Sequence, residues 1–238
     1  AASSDYPLRD VYKRQLFRLA AGTLEPVAGV GDFLIVGNGM PARPGTVVVA
    51  SVGDRVRARR LTVPESNPDV AVLVAQAVDP RAIGTPVIAP LNGFDCKKVV
   101  GVLFSVGRDV PDGGGNEVVP VEEVADYWNL IDKGRLFRVE GRSAEPLALE
   151  GQYLIAGDRV TGTAEISRLD GRLVVAVDGE GGCYFKRLRI ARGGLVVLES
   201  LNPDGTCPSE LMSFDRDGEL PTLESAFVVR GVLFDLPR

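Results

Sequence analysis

The sequence predicts a mainly β protein that contains two tandem copies of one β domain. One observation is a series of short apolar, β-branched runs bounded by clusters of Gly, Pro, Asn and Asp, which is typical of strands joined by turns. The other is an ordered internal repeat, which sets the number of domains. The regular spacing of the runs fits compact barrel-like or sandwich-like domains.

The amino-acid composition excludes several classes of function. The 238 residues are 45% hydrophobic, enough for one large or two small cores, and carry a net charge of -5. An acidic chain without a basic cluster is poorly suited to bind a nucleic-acid backbone by itself. No histidine is present, which excludes histidine-based triads and histidine-ligated metals. We expect neither a cofactor nor a metal.

The cysteines favour a reducing compartment. There are three, Cys96, Cys183 and Cys207, and none forms a C-x-x-C pair. An odd number without that spacing does not predict a disulfide framework, so we expect a cytoplasmic protein. No apolar run approaches the ~20 residues of a membrane span, and we expect no membrane partner.

The first fifteen residues differ from the rest. Asp10-Val11-Tyr12-Lys13-Arg14-Gln15 resembles the translation of a transposon end used to prepare sequencing libraries. We expect residues 1–15 to be a non-native adapter tail and exclude them from fold reasoning. The native chain would then be a fragment that is entered at about Leu16.

The repeat aligns residues 16–37 (LFRLAAGTLEPVAGVGDFLIVG) with 136–157 (LFRVEGRSAEPLALEGQYLIAG) without a gap. Further blocks follow in the same order. The pairs are 45–50 with 171–176, 59–61 with 186–188, 72–80 with 195–203, and 101–104 with 231–234. We therefore predict one β domain over 16–108 and a second over 136–238.

The predicted strands and the connection between the domains follow from local composition. The clearest runs are 47–50, 70–77, 173–177, 195–198 and 227–234. Residues 109–135 form the connection, a Gly-rich linker followed by one short helix. The helix is predicted over 121–132 because apolar residues recur there at helical spacing, and Pro120 suits its first turn.

The ordered motifs resemble a known family. They are Gly-x-Ser-x-x-Pro at 141–146, a strand that begins Gly-x-apolar, Val-Val-Ala, and then Phe-Lys-Arg-Leu at 185–188. In this order the motifs are similar to those of LexA-type serine peptidases. These are the C-terminal domains of LexA and phage repressors, which are related to signal peptidases. The resemblance covers nearly all of 16–238 and implies a β-clip or barrel-like fold, a homodimer and a DNA-binding domain that precedes the fragment.

By this resemblance Ser143 is the nucleophile and Lys186 its general base. A serine hydroxyl needs a neighbouring base, and a lysine with its ordinary pKa of about 10.4 is protonated at neutral pH. Burial lowers the pKa of a lysine, and the apolar neighbours of Lys186 favour burial. The backbone amide of Ser143 is the oxyanion donor that the resemblance implies.

Three features depart from the family pattern. Ala144 stands where the family has Met, and Gln152 replaces the Asp of its Gly-Asp motif. In the first repeat the dyad positions hold Thr23 and Arg59. Arginine stays protonated and cannot act as a base, so we expect the first domain to be a degenerate, inert copy.

The family cuts itself at an Ala-Gly or Cys-Gly bond some tens of residues before the serine. No such bond lies between Phe104 and Gly141. The expected self-cleavage bond is Val106-Gly107, which lies at a similar distance.

Two function hypotheses remain open. In the first, the chain is the C-terminal part of a LexA-like or phage-repressor-like transcriptional regulator whose second domain cuts its own chain or a peptide. In the second, both domains are non-catalytic and form a dimerisation or peptide-binding module. A signal peptidase fits less well because it needs a membrane anchor.

Overall fold

The structure is a computed structural model, and it describes residues 15–37, 39–77, 83–91, 93, 95–105, 110–215 and 218–234. The chain divides into two compact units. The first contains Ala1–Trp128 with Leu233–Arg238, and the second contains Asn129–Val232. Within the described residues there are fifteen strands and two α-helices, which confirms the prediction of a mainly β fold.

The first unit contains eight strands. They are β1 (Gln15–Leu19), β2 (Phe33–Val36), β3 (Val47–Val52), β4 (Arg55–Thr62), β5 (Val70–Val74), β6 (Val87–Pro90), β7 (Asp95–Leu103) and β8 (Val118–Pro120). They pair antiparallel in the order β6-β5-β4-β3-β7-β2-β1-β8. Helix α1 (Ala125–Lys133) crosses the boundary between the units.

Both faces of β3 are buried in the first unit. Val47 and Val49 pack into one apolar cluster, and Val48 and Ala50 pack into another. Successive side chains of a strand point to opposite faces, so a continuous apolar run places this strand between two cores. The fully buried Leu34 in the first cluster contributes about 1.5–3 kcal/mol relative to an exposed leucine.

The second unit contains seven strands and a short helix. They are β9 (Arg135–Arg138), β10 (Tyr153–Thr161), α2 (Thr163–Ser167), β11 (Leu173–Asp178), β12 (Cys183–Ile190), β13 (Val196–Glu199), β14 (Glu210–Met212) and β15 (Leu223–Leu233). A turn of 3-10 helix, Arg192–Gly194, connects β12 to β13. The strand order is β14-β13-β12-β11-β15-β10-β9, which is the order that the first unit has in β6 to β1.

Positions that the repeat aligns also have equivalent strand partners. Val48 lies opposite Arg59 in the first unit, and Val174 lies opposite Lys186 in the second. The two basic residues therefore occupy the same place in their respective sheets. Leu188, which follows Lys186 on the same face of β12, belongs to the apolar core of the second unit.

Helix α1 is shorter at its start than the predicted 121–132, because it begins at Ala125. The backbone amide of Val121 donates to the carbonyl of Leu16 at 3.0 Å. That bond continues the pairing of β8 with β1 and keeps the preceding residues extended. The apolar periodicity included these residues because it records side chains and not backbone partners.

Candidate functional site

Ser143 lies in the turn that follows β9. Gly141 precedes it with a φ of 74°, in the left-handed region that glycine adopts without a steric cost. The turn is closed by the Glu145 amide, which donates to the Arg142 carbonyl at 3.2 Å. The Ala148 amide then donates to the Ala144 carbonyl at 3.1 Å. This hydrogen-bonded turn holds the half-buried Ser143 in place.

Lys186 is buried on β12, with 5% of its surface exposed. Its Nζ donates a hydrogen bond to the carbonyl oxygen of Pro208 at 2.8 Å. Among the residues that the structure describes, no carboxylate lies within 4.0 Å of this Nζ. Burial of a charged group without a counter-charge is costly, so a buried lysine of this kind is a candidate functional residue.

Ser143 and Lys186 line one cavity of about 580 Å³ in the second unit. Its apolar wall includes Val139, Ala144 and Val175. Within the described part of the chain, no hydrogen bond joins the Ser143 hydroxyl to the Lys186 amine. The structure thus brings the two predicted dyad residues to the same cavity, where the Lys186 amine is bonded to the Pro208 carbonyl.

Two backbone amides beside the cavity have no acceptor among the residues that the structure describes. Within the described ranges, the amides of Ser143 and Ala144 donate no hydrogen bond. The equivalent amide of Thr23 does, to the Ala21 carbonyl at 2.8 Å. Unpaired amides near a nucleophile can donate to a developing oxyanion, and Ser143 supplies the one that the resemblance implied.

The equivalent positions of the first unit hold a different arrangement. Thr23 is buried, and its hydroxyl donates to the carbonyl of Ala58 at 3.1 Å. Arg59 is 2% exposed, and its Nε lies 2.9 Å from a carboxylate oxygen of Glu117. A second guanidinium nitrogen also bonds to Glu117. Arg59 is therefore held in a buried ion pair, whereas Lys186 has no acidic partner among the described residues.

Glu117 is a residue that the sequence reasoning missed. It also accepts hydrogen bonds from Arg57 Nη1 and from the backbone amide of Ala58, each at 3.1 Å. Its position in the predicted Gly-rich linker gave no sign of these contacts. An available signal was the alignment of Arg59 with Lys186, for which burial was expected, because a buried arginine needs a carboxylate partner.

The change from Asp to Gln at 152 preserves a local hydrogen bond. In the first unit a carboxylate oxygen of Asp32 accepts from the Gly29 amide at 2.8 Å. In the second, the side-chain oxygen of Gln152 accepts from the Leu149 amide at 2.9 Å. The motif closes the same turn in both units. Burial raises the pKa of Asp32, although hydrogen bonds from the Ser105 and Gly29 amides oppose that shift.

The hairpin that leads into β12 is organised around Asp178. Its carboxylate accepts hydrogen bonds from the Tyr184 hydroxyl at 2.9 Å and from the Gly182 amide at 2.7 Å. Burial alone would raise the pKa of Asp178, but these hydrogen bonds outweigh it and lower that pKa. The same bond to Asp178 raises the pKa of Tyr184. The hairpin thereby fixes the start of the strand that carries Lys186.

The expected cleavage bond, Val106-Gly107, lies outside the described residues. Cys96, Cys183 and Cys207 are free thiols, and the last two line the cavity. Among the described residues no cluster of three His, Cys, Asp or Glu side chains could hold a metal. In the same residues no helix is long and apolar enough to cross a bilayer.

Comparison with protein-family models, with curated proteins and with solved structures found no match for this chain. The LexA-type resemblance therefore remains a prediction from the motifs.

Proposed function

We propose that the second unit is a Ser-Lys serine peptidase domain that cuts its own chain or a peptide. The observation that carries the proposal is the cavity shared by Ser143 and a buried Lys186 that has no acidic partner among the described residues. The first unit offers a contrast, because its basic residue is neutralised by Glu117. A base must be free to accept a proton, and Lys186 meets that condition better than Arg59.

The reaction would follow from these groups. The Ser143 hydroxyl attacks the carbonyl carbon of the peptide bond, and its proton passes to the neutral Lys186 amine. The backbone amides of Ser143 and Ala144 donate to the oxyanion. When the tetrahedral intermediate collapses, the lysine returns the proton to the leaving amine, and an ester on Ser143 remains. Water then hydrolyses the ester, with Lys186 again taking and returning a proton, which restores the serine.

The wider role that we propose is that of a LexA-like or phage-repressor-like transcriptional regulator. The ordered motifs support it, as does the repeated strand order. A homodimer is part of this proposal, and DNA would be bound by a further domain. A cytoplasmic location is supported by the three free cysteines.

A time course of the purified chain, followed by intact mass at about pH 7 and about pH 10, tests the peptidase. A lysine base acts as the neutral amine, so fragments should appear faster at the higher pH. Ser143→Ala and Lys186→Met should abolish cleavage, because one removes the nucleophile and the other fills the buried site without an amine. Ser167→Ala is the matched control, since among the described residues that hydroxyl bonds only to the Thr163 carbonyl.

Cleavage that persists in Ser143→Ala or Lys186→Met would contradict the proposal. So would an intact chain at both pH values together with an uncut test peptide that contains an Ala-Gly bond.

The second candidate function is a non-catalytic dimerisation or peptide-binding module. The observation that favours it is the bond from Lys186 to the Pro208 carbonyl, which occupies the amine without involving Ser143. In that case the chain stays intact, and peptide binding in the cavity should be unaffected by Ser143→Ala. Isothermal titration with the Ala-Gly peptide would measure that binding.

A further inference from the structure

The segment 200–209, which connects β13 to β14 and which we call the connecting loop, contacts both residues of the proposed dyad. At its start, the amides of Leu201 and Asn202 donate to the Ser143 carbonyl at 3.0 Å and 3.1 Å. Near its end, the Pro208 carbonyl accepts from Lys186 at 2.8 Å. One loop therefore fixes the backbone of the nucleophile and bonds to the amine of the base.

Asn202 joins the connecting loop to the serine turn through its side chain. The side chain is buried, with 8% of the residue exposed. Its Nδ2 donates to the Arg142 carbonyl at 2.9 Å, and its Oδ1 accepts from the Asp204 amide at 3.0 Å. Both ends of the amide are thus used. Asp204 in turn accepts from the Thr206 amide at 2.8 Å, which orders the part of the loop that precedes Pro208.

The bond to Pro208 has a chemical consequence for a lysine that acts as a base. A neutral amine has two N–H groups and one lone pair. When one N–H donates to a fixed carbonyl, the directions open to the lone pair are restricted. Nucleophile–base pairs of this kind work when a third group orients the base, and small displacements of such groups lower the rate strongly.

We propose that Asn202 is the positioning residue of the dyad, and that it acts through the Pro208 carbonyl as the group that orients Lys186. This inference rests on the proposed peptidase function. Among the described contacts, the Asn202 side chain bonds to the Arg142 carbonyl and the Asp204 amide and not to the Ser143 hydroxyl. It sets the distance between the serine turn and the connecting loop, and so the place at which the lysine amine is held.

The test compares Asn202→Asp, which keeps the shape but cannot donate to Arg142, with Asn202→Ala. Asn116→Ala is the matched control, because Asn116 also bridges segments of backbone, accepting from the Val56 amide at 2.8 Å in the first unit. Self-cleavage of both Asn202 variants should be roughly 10–100-fold slower than that of the native chain. The loss should persist at about pH 10, since deprotonation does not reorient the base. Asn116→Ala should cleave at the native rate.

A second measurement does not depend on activity. Cys207 lies in the connecting loop beside Pro208, and Cys96 lies in β7 of the first unit. Alkylation by iodoacetamide, followed by peptide mass spectrometry, should accelerate several-fold at Cys207 in the Asn202 variants relative to Cys96 in the same sample. A melting curve for each variant confirms that the chain remains folded.

The outcomes separate the two proposals. Native cleavage with unchanged rates in both Asn202 variants overturns the inference and leaves the peptidase standing. A native chain that neither cleaves itself nor cuts the Ala-Gly peptide overturns the peptidase, and the alkylation rates alone then show whether Asn202 fixes the connecting loop. If the alkylation rate of Cys207 is unchanged in folded Asn202 variants, the proposal that Asn202 fixes the connecting loop is also overturned.

Discussion

At the residue scale, the two units differ most at the position shared by Arg59 and Lys186. Both side chains are buried on equivalent strands. Arg59 is paired with Glu117, whereas Lys186 bonds only to a backbone carbonyl among the described groups. A planar guanidinium suits a bidentate carboxylate partner, and a lysine suits proton transfer. The same position thus holds a buried ion pair in one unit and the proposed general base in the other.

The buried pair gives a prediction for stability. Glu117→Gln keeps the shape and the acceptor oxygen but leaves the Arg59 charge uncompensated, so the free energy of unfolding should fall by about 3–5 kcal/mol. Urea denaturation followed by circular dichroism measures it. Glu199→Gln is the control, since its pair with Arg189 is exposed and surface pairs contribute about 0–1 kcal/mol.

The double variant Arg59→Met with Glu117→Leu refines that prediction. It removes both charges of the buried pair and should be less destabilised than Glu117→Gln, because the Arg59 charge no longer lies buried without a partner. Arg57, which also bonds to Glu117, is partly exposed and keeps access to water. If Glu117→Gln and Glu199→Gln lower the free energy of unfolding equally, the buried pair contributes no more to stability than the exposed pair.

At the element scale, the hairpin formed by β11 and β12 determines where Lys186 lies. Its connection is closed by Asp178, which accepts bonds from Tyr184 and from the Gly182 amide. A Cβ added at Gly182 would lie 2.6 Å from a carboxylate oxygen of Asp178, so a larger residue here would displace that carboxylate from its hydrogen bonds. Local turn chemistry and strand pairing together therefore place the buried lysine.

The lowered pKa of Asp178 predicts a pH dependence. A carboxylate whose pKa is lower in the folded chain contributes stability above its unfolded pKa, and that contribution is lost as the pH falls through the folded value. Asp178→Asn should therefore destabilise the chain at neutral pH and cost progressively less in acid. Urea denaturation between about pH 7 and about pH 2 measures the difference.

Tyr184→Phe is the matched comparison for that series. It removes one of the donors to Asp178 but leaves the backbone amides, so its effect should have the same sign and a smaller pH dependence. A loss that stays constant from neutral to acid pH in Asp178→Asn would contradict the electrostatic explanation.

The sequence predicted those strands whose cause lies in their own residues, and it did not predict those that depend on a neighbouring strand. The runs at 47–50 and 173–177 fall within β3 and β11, because apolar β-branched residues predict strands directly. The strands β6, β8 and β14 have only three or four residues, too few to show a period. They form because longer neighbours offer them unpaired backbone groups.

The candidate site was likewise predictable only where a local motif marks its residues. The motifs identified Ser143 and Lys186, which line one cavity. They did not identify Asn202 or Glu117, whose partners lie 60 and 58 residues away along the chain. Contacts over such separations depend on how the strands and loops fold together, and no local pattern in one sequence records them.

At the scale of the whole molecule, charge predicts how the chain meets nucleic acid. The chain has 32 acidic and 27 basic residues, for a net charge of -5. Affinity for duplex DNA comes largely from cations that neutralise phosphates, so this chain should not bind it at about 0.15 M salt. Fluorescence anisotropy with a labelled duplex measures this binding, and a parallel titration at low salt sets the upper limit of non-specific attraction.

Saturable binding whose affinity falls linearly on a logarithmic salt scale would contradict the prediction and place phosphate contacts within these residues. Absence of binding would leave the proposed regulator dependent on a further domain for its DNA contacts, with these two units serving cleavage and assembly.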